Sequence, residues 1–333
     1  MFRNKGFNAV NQYRSFLLFI SLSMMLMVSG AVQAELSAMD WVQKMSRSMQ
    51  ELSYKGRFVF SHGNQLESMS ILHVNDSMGK RERLVSLNGE AREILRDNKN
   101  FTCVWPSSRQ VVVDQSNSNN FSPIWIPEDV TRLGKYYKFT IEGDDRVADH
   151  PAVMVSISPK DEYRYGMKLW IQKNNGLLLQ SVLYDERGLA REQIMFTDLS
   201  LMHYDDQKSF SVIPNIDSGY ALIRSHSGEG GNQLEADARW QLQMMPGGFF
   251  LETSFRKKMM DSANFTQQMI LTDGMASVSV FIEPFSESSL MGESSMGAVN
   301  AYGTQVDKFS VLAIGEVPPV TVKKIVESIS FSQ

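Results

Sequence analysis

The chain has 333 residues, with 33 Lys and Arg against 37 Asp and Glu, a formal net charge of −4, and a single cysteine. That balance offers no broad basic surface to a nucleic acid. One thiol excludes any intramolecular disulfide, so stability has to come from burial, and the length favours two domains over one.

Met1 to Ala34 reads as a secretory signal: Arg3, Lys5 and Arg14 give a positive start, Phe16 to Val28 an apolar middle, and Val32 to Ala34 a small-residue end. Cleavage is expected between Ala34 and Glu35. Its apolar run is shorter than the roughly 20 residues of a membrane span, so the rest of the chain is expected in an exported compartment, which the resemblance given below implies is the periplasm. Without this segment the chain carries 30 basic and 37 acidic residues, a net of −7.

Ser37 and Asp40 form a capping-box pattern, and Ala38, Trp41, Met45, Met49 and Leu52 follow at helical spacing, which predicts a helix over 38–52. Alternation then predicts strands over 54–61, 66–74, 82–87, 90–96, 101–104 and 111–114, with Gly63, Asp76 to Gly79, and Asn88 with Gly89 at the turns. Gln115 to Asn120 has no periodicity and is expected as a loop. The run FSPIWIPEDV behind it, with Phe121, Ile124, Trp125 and Ile126, is too proline-broken for a strand and is expected to cap the sheet. Strands over 136–142 and 152–157 lead to a three-stranded meander. In its first strand Tyr163, Tyr165, Met167, Leu169 and Ile171 should share one face and Arg164, Lys168 and Gln172 the other.

Polar and glycine-rich residues over 211–235 predict a linker between a domain over 35–210 and a second over 236–333. In the second, strands are expected over 239–244, 249–257, 267–271, 277–283, 297–305 and 309–316, with Asp273 and Gly274 as a hairpin turn. Val322, Ile325, Val326 and Ile329, after Pro318 and Pro319, predict a terminal helix. The fold class is α+β: a large N-terminal open, strongly curved antiparallel β-barrel-like sheet with a helix, then a smaller C-terminal α+β domain.

The residues point to binding rather than catalysis. The five histidines, His62, His73, His150, His203 and His226, are dispersed, with no pair at metal-ligand spacing. Asp144 with Asp145, and Asp205 with Asp206, sit in turn-like polar runs. Cys103, in FTCVWP, reads as a small buried hydrophobe. No cofactor, metal or enzymatic activity is expected. The informative residue is methionine, 21 in all with four in the signal, because its flexible thioether suits both core filling and surfaces that accept variable apolar shapes. Met39, Trp41, Met45, Met49, Phe58, Phe60, Met69, Trp125, Met167 and Met195 are the candidates to line a lipid pocket between helix and sheet. In the second domain Trp240, Phe249, Phe250, Arg256 and Phe281 are the candidates for partner-contact anchors, with a core role as the alternative.

Several stretches carry a family resemblance: RYG, LW, GLLL and the E-Q-x-x-F-T strand between Asp161 and Leu199, SYKGRFVF from Ser53, LESMSILHVND from Leu66, TDGMASVSVFIEP from Thr272 and GEVPPVTVKKIVESI from Gly315. Over nearly the whole exported chain it resembles the RseB and MucB proteins, periplasmic negative regulators of sigma-E (AlgU-type) factors. The resemblance implies a large domain similar to lipoprotein carriers. It also implies a partner, the periplasmic region of an RseA- or MucA-like anti-sigma factor, which the protein would shield from proteolysis. Release would follow binding of mislocalised lipopolysaccharide or lipoprotein acyl chains, restraining or freeing the envelope stress response. A homodimer stays open, and the alternative from a different class is a periplasmic lipid or lipoprotein carrier or chaperone.

Overall fold

The computed structural model describes residues 35–97, 100–114, 126–127, 129–203, 219–225, 233–258 and 265–332. Residues 37–333 form one compact unit. Helix α1 (Ala38–Glu51) starts where the sequence places it. The Ser37 hydroxyl accepts from the Asp40 N–H at 3.2 Å while the Asp40 carboxylate accepts from the Ser37 N–H at 3.0 Å, so two helix-end donors are satisfied reciprocally. Its inner side, with Val42 and Met45, is buried on the sheet. Two hydroxyls pin it there: Ser46 donates to the Ile126 carbonyl at 2.8 Å and Ser48 to that of Asn175 at 2.6 Å.

The first sheet contains β1 (Tyr54–His62), β2 (Gln65–Asp76), β3 (Gly79–Ser86), β4 (Glu93–Arg96), β5 (Phe101–Trp105), β6 (Gln110–Asp114), β7 (Tyr137–Val147), β8 (His150–Pro159), β9 (Gly166–Gln172), β10 (Leu178–Tyr184), β11 (Ala190–Leu201) and β12 (Ala221–Ser225). Their order is β12-β6-β5-β4-β3-β2-β1-β11-β10-β9-β8-β7, with β12 and β7 as separate edges, so the sheet is open. It is also curved. Val147 and Ala152, at the β7–β8 edge, pack in one cluster with Ile71 and Leu84 of β2 and β3, strands several positions away in the sheet.

Two differences from the sequence reading stand out in this sheet. The meander is present as β9 to β11, but its first strand begins at Gly166, because Tyr163, Arg164 and Tyr165 leave the strand line to contact the second sheet. Ala221–Ser225, inside the expected linker, is a strand that pairs in parallel with β6. Of the expected cap, Ile126 and Val130 are buried in the cluster with Met45; Gln115 to Asn120, Phe121, Ile124 and Trp125 lie outside the described residues.

The second sheet contains β13 (Gln233–Glu235), β15 (Phe250–Lys258), β16 (Phe265–Thr272), β17 (Ser277–Pro284), β18 (Gly292–Met296), β19 (Val299–Val306) and β20 (Phe309–Gly315), in the order β13-β15-β16-β17-β20-β19-β18. A short ribbon pairs β14 (Trp240–Leu242) with β21 (Ile329–Phe331). Helix α2 (Pro319–Glu327) lies on β19 and β20 and buries Val322, Ile325 and Val326 in one cluster with the alternating Val278, Val280 and Ile282 of β17. Ile329, expected in this helix, belongs to β21. Gly297, expected in a strand, is instead at the β18–β19 turn with φ +62°, a left-handed conformation glycine adopts without strain.

Candidate functional site at the junction of the two sheets

The pocket candidates fall into two clusters under α1. Met45 is buried with Met39, Trp41, Met49 and Met167 packed around its cluster. Phe58 and Met69 are buried in the second cluster, with Phe60 and again Met49 against it. Met49 therefore touches both, and its sulfur accepts from the Leu178 N–H at 3.4 Å. Met195 does not join them: it follows the buried Ile194 and precedes the buried Phe196, so the two-residue strand period turns it to the outer face, where it is 37% exposed. Trp125 lies outside the described residues.

The partner-contact candidates divide likewise. Trp240 and Phe249 are buried in the core of the second sheet, where Trp240 meets Phe309 edge-on at 5.2 Å between centroids. Both are thus core residues rather than surface anchors, because a small sheet needs large apolar side chains inside. Phe250 is exposed, Phe281 is half-buried, and Arg256 donates from Nε to the Glu235 carbonyl at 2.9 Å.

What joins the sheets is the segment Asp161–Gly166. Arg164, expected on the strand face opposite Tyr163 and Tyr165, has a side chain with no exposed surface. Its Nε donates to Asp273 Oδ2 at 2.5 Å, one terminal nitrogen donates to Asp161 and the other to the Gly247 carbonyl. The rings of Tyr136 and Phe249 flank the guanidinium at 4.9 and 5.0 Å from its carbon. Asp273 is equally committed. Its Oδ2 also accepts from the Tyr137 hydroxyl at 2.8 Å, and its Oδ1 accepts from the Met275 and Ala276 N–H groups at 2.9 and 2.8 Å, which closes the β16–β17 turn. Burial alone would lower the Arg164 pKa, but the hydrogen bond and charge of Asp273 outweigh it and the guanidinium is held above its ordinary value. Burial, with Asp273 beside it, holds the Tyr137 phenol well above its own.

The neighbouring residues continue the seam. The Thr321 hydroxyl donates to the Tyr163 carbonyl at 2.9 Å, and Lys324 Nζ donates to the Tyr163 hydroxyl at 2.5 Å. Asn300, buried at the start of β19, donates from Nδ2 to the Tyr165 hydroxyl at 2.8 Å. Gly166 is needed for a different reason: a Cβ there would sit 2.2 Å from the Tyr184 ring. Each residue of the RYG run thus has its own contact. Sequence reasoning singled out that run and the Asp273–Gly274 turn but could not pair them, since 109 positions separate Arg164 from Asp273.

Cys103 is buried, and burial pushes its thiol pKa up, which makes it a poor nucleophile. Among the described residues no three His, Cys, Asp or Glu side chains are grouped to hold a metal, and no helix is long and apolar enough to cross a membrane.

Residues 37–214 match the family model described as the MucB/RseB N-terminal domain, and residues 234–330 match that of the MucB/RseB C-terminal domain. Two curated relatives span nearly the whole chain. The sigma factor AlgU regulatory protein MucB of Pseudomonas aeruginosa is 28% identical, over 91% of this chain and 94% of its own. The sigma-E factor regulatory protein RseB of Haemophilus influenzae is 26% identical, over 94% and 98%. Among solved structures, the MucA/MucB complex of Pseudomonas aeruginosa contains a chain 25% identical to this one, with a TM-score of 0.67 over 89% of this chain and 99% of that one.

Proposed function

The chain belongs to the MucB/RseB family, and we propose from that premise that it is a periplasmic regulatory binding protein acting on a membrane-anchored anti-sigma factor. It holds the periplasmic segment of that factor, shields it from regulated proteolysis, and lets go when misplaced lipopolysaccharide or lipoprotein acyl chains bind. The observation that carries this reading is the match of both family domains in order along one chain. The names of the relatives, regulators of sigma factors, and the solved pairing of MucB with MucA support it.

The physical arrangement is compatible with such a switch. Each buried methylene contributes about 0.8 kcal/mol, so part of one acyl chain among the methionines beneath α1 would supply several kcal/mol of binding. Lipid and anti-sigma factor that favour different arrangements weaken each other by the same factor.

Calorimetric titration of the exported protein, from Glu35 on, with the periplasmic segment of its anti-sigma factor tests the reading. Specific binding that weakens when a lipopolysaccharide fragment or a lipopeptide is present is the expected result. Equal affinity with and without saturating lipid would remove the switch. Lipid binding with no affinity for the segment would make the protein a carrier instead.

A further inference from the structure

We propose that the β6 edge of the first sheet is a strand-acceptor site: β12 fills it as a stand-in, and an extended segment of a partner protein, led by an aromatic residue, takes its place beside β6.

The two ends of this sheet are guarded differently. At one end β7 carries a bulge between Ile141 and Gly143 and exposed Lys138, Glu142, Asp144, Asp145 and Arg146, features that keep another strand from adding. At the other end β6 runs from Gln110 through Val111, Val112 and Val113 to Asp114, with neither lysine nor proline, and pairs with β5 without a register shift. Three β-branched residues on an even strand make a strong template for pairing. Among the described residues, the cover of this template is β12.

β12 has the marks of an added strand. It follows β11 in sequence but lies on the far side of β1 to β6, and it runs parallel to β6 whereas β5 is antiparallel to it. Leu222 and Ile223 point to opposite faces and are 51% and 48% exposed, so neither face of the strand is buried. Its main chain does the holding: the Ala221 N–H donates to the Arg109 carbonyl at 2.8 Å. The two-residue period then aims the Ile223 N–H at β6 as well, and turns the Val111 and Val113 N–H groups toward β12. The anchoring side chain is Tyr220, packed on the buried Leu95, Val104 and Val111.

These contacts define the ligand. Main-chain bonding accepts an extended segment that has no proline at the inward positions, and the apolar site beneath Tyr220 selects an aromatic residue just before the strand. Because it belongs to the same chain, β12 works at an effective concentration on the order of millimolar, so a free peptide competes poorly with it. A segment of a partner already bound elsewhere on this protein is presented at a comparable concentration and displaces it. The site rests on the first sheet alone and stands whether or not the anti-sigma reading holds.

The probe is a fluorescein-labelled peptide of residues 218–226, titrated by anisotropy into the exported protein and into its Ile223→Pro variant, with amide hydrogen exchange of β6 read alongside. Proline at this position removes an inward N–H and frees the edge. With the tethered competitor gone, the peptide should bind the variant at least about tenfold more tightly than wild type. A Tyr220→Ala copy of the peptide should bind the variant at least about tenfold more weakly, having lost its anchor. The peptide should also slow exchange of Val111 and Val113 in the variant and leave Val112, whose N–H faces β5, unchanged. Equal binding to wild type and variant would place the peptide outside β12 and overturn the proposal. So would no binding to the variant, or exchange of Val111 and Val113 that the peptide does not slow. Should Ile223→Pro fail to fold, the Tyr220→Ala protein, which loses the anchor and keeps the main chain, is read in the same way.

Discussion

Beneath α1, Met45, Phe58 and Met69 are held by apolar contacts that many side-chain shapes satisfy, with the flexible Met49 touching both clusters. At the seam, Arg164 is held by Asp273, Asp161 and the Gly247 carbonyl in a single geometry. The interior is adaptable in shape and demanding only in volume, whereas the seam is demanding in geometry. The difference also predicts how each region fails.

The largest effect is expected at the seam. Arg164→Ala leaves Asp273 buried without its cation, which costs about 3–5 kcal/mol. Because that contact spans the sheets, urea unfolding followed by tryptophan fluorescence and circular dichroism should split from one transition into two. Met45→Ala sharpens the contrast from the other region. Truncating a fully packed methionine costs about 2–4 kcal/mol, but the loss should fall on the first sheet and leave the unfolding a single transition. Smallest is Met195→Ala, on the outer face of β11, which should stay within about 0.5 kcal/mol of wild type. A larger loss in the same urea assay would place Met195 in a contact that its outward orientation does not provide.

The local elements were legible because their signals are local. Ser37 and Asp40 announced the start of α1, and Asp273 with Gly274 announced a hairpin that the structure contains. The three-stranded meander followed from alternation and glycine turns. Arg164 was misplaced by that same alternation. Tyr163, Arg164 and Tyr165 continue the pattern of β9 in sequence, yet a buried acid on the second sheet draws the chain off the strand before Gly166. No periodicity reports a partner more than a hundred residues away. Ala221–Ser225 was hidden by polar and glycine-rich neighbours that made the stretch read as linker; the edge of β6 supplies the pairing. The family resemblance reached further than the physics of single residues. It located the RYG run, and the structure supplied the reasons: Arg164 on Asp273, Tyr165 on Asn300, and Gly166 beneath Tyr184.

The measurement that most directly tests the claim that the Asp161–Gly166 segment unites the two sheets is a double-mutant cycle on Arg164→Met and Asp273→Asn, the second keeping the Oδ1 acceptor of the turn. Urea unfolding of the wild type, both single variants and the double variant should give a coupling energy of about 2–3 kcal/mol, the upper part of the range for residues in one network. Losses that simply add, within about 0.5 kcal/mol, would contradict it.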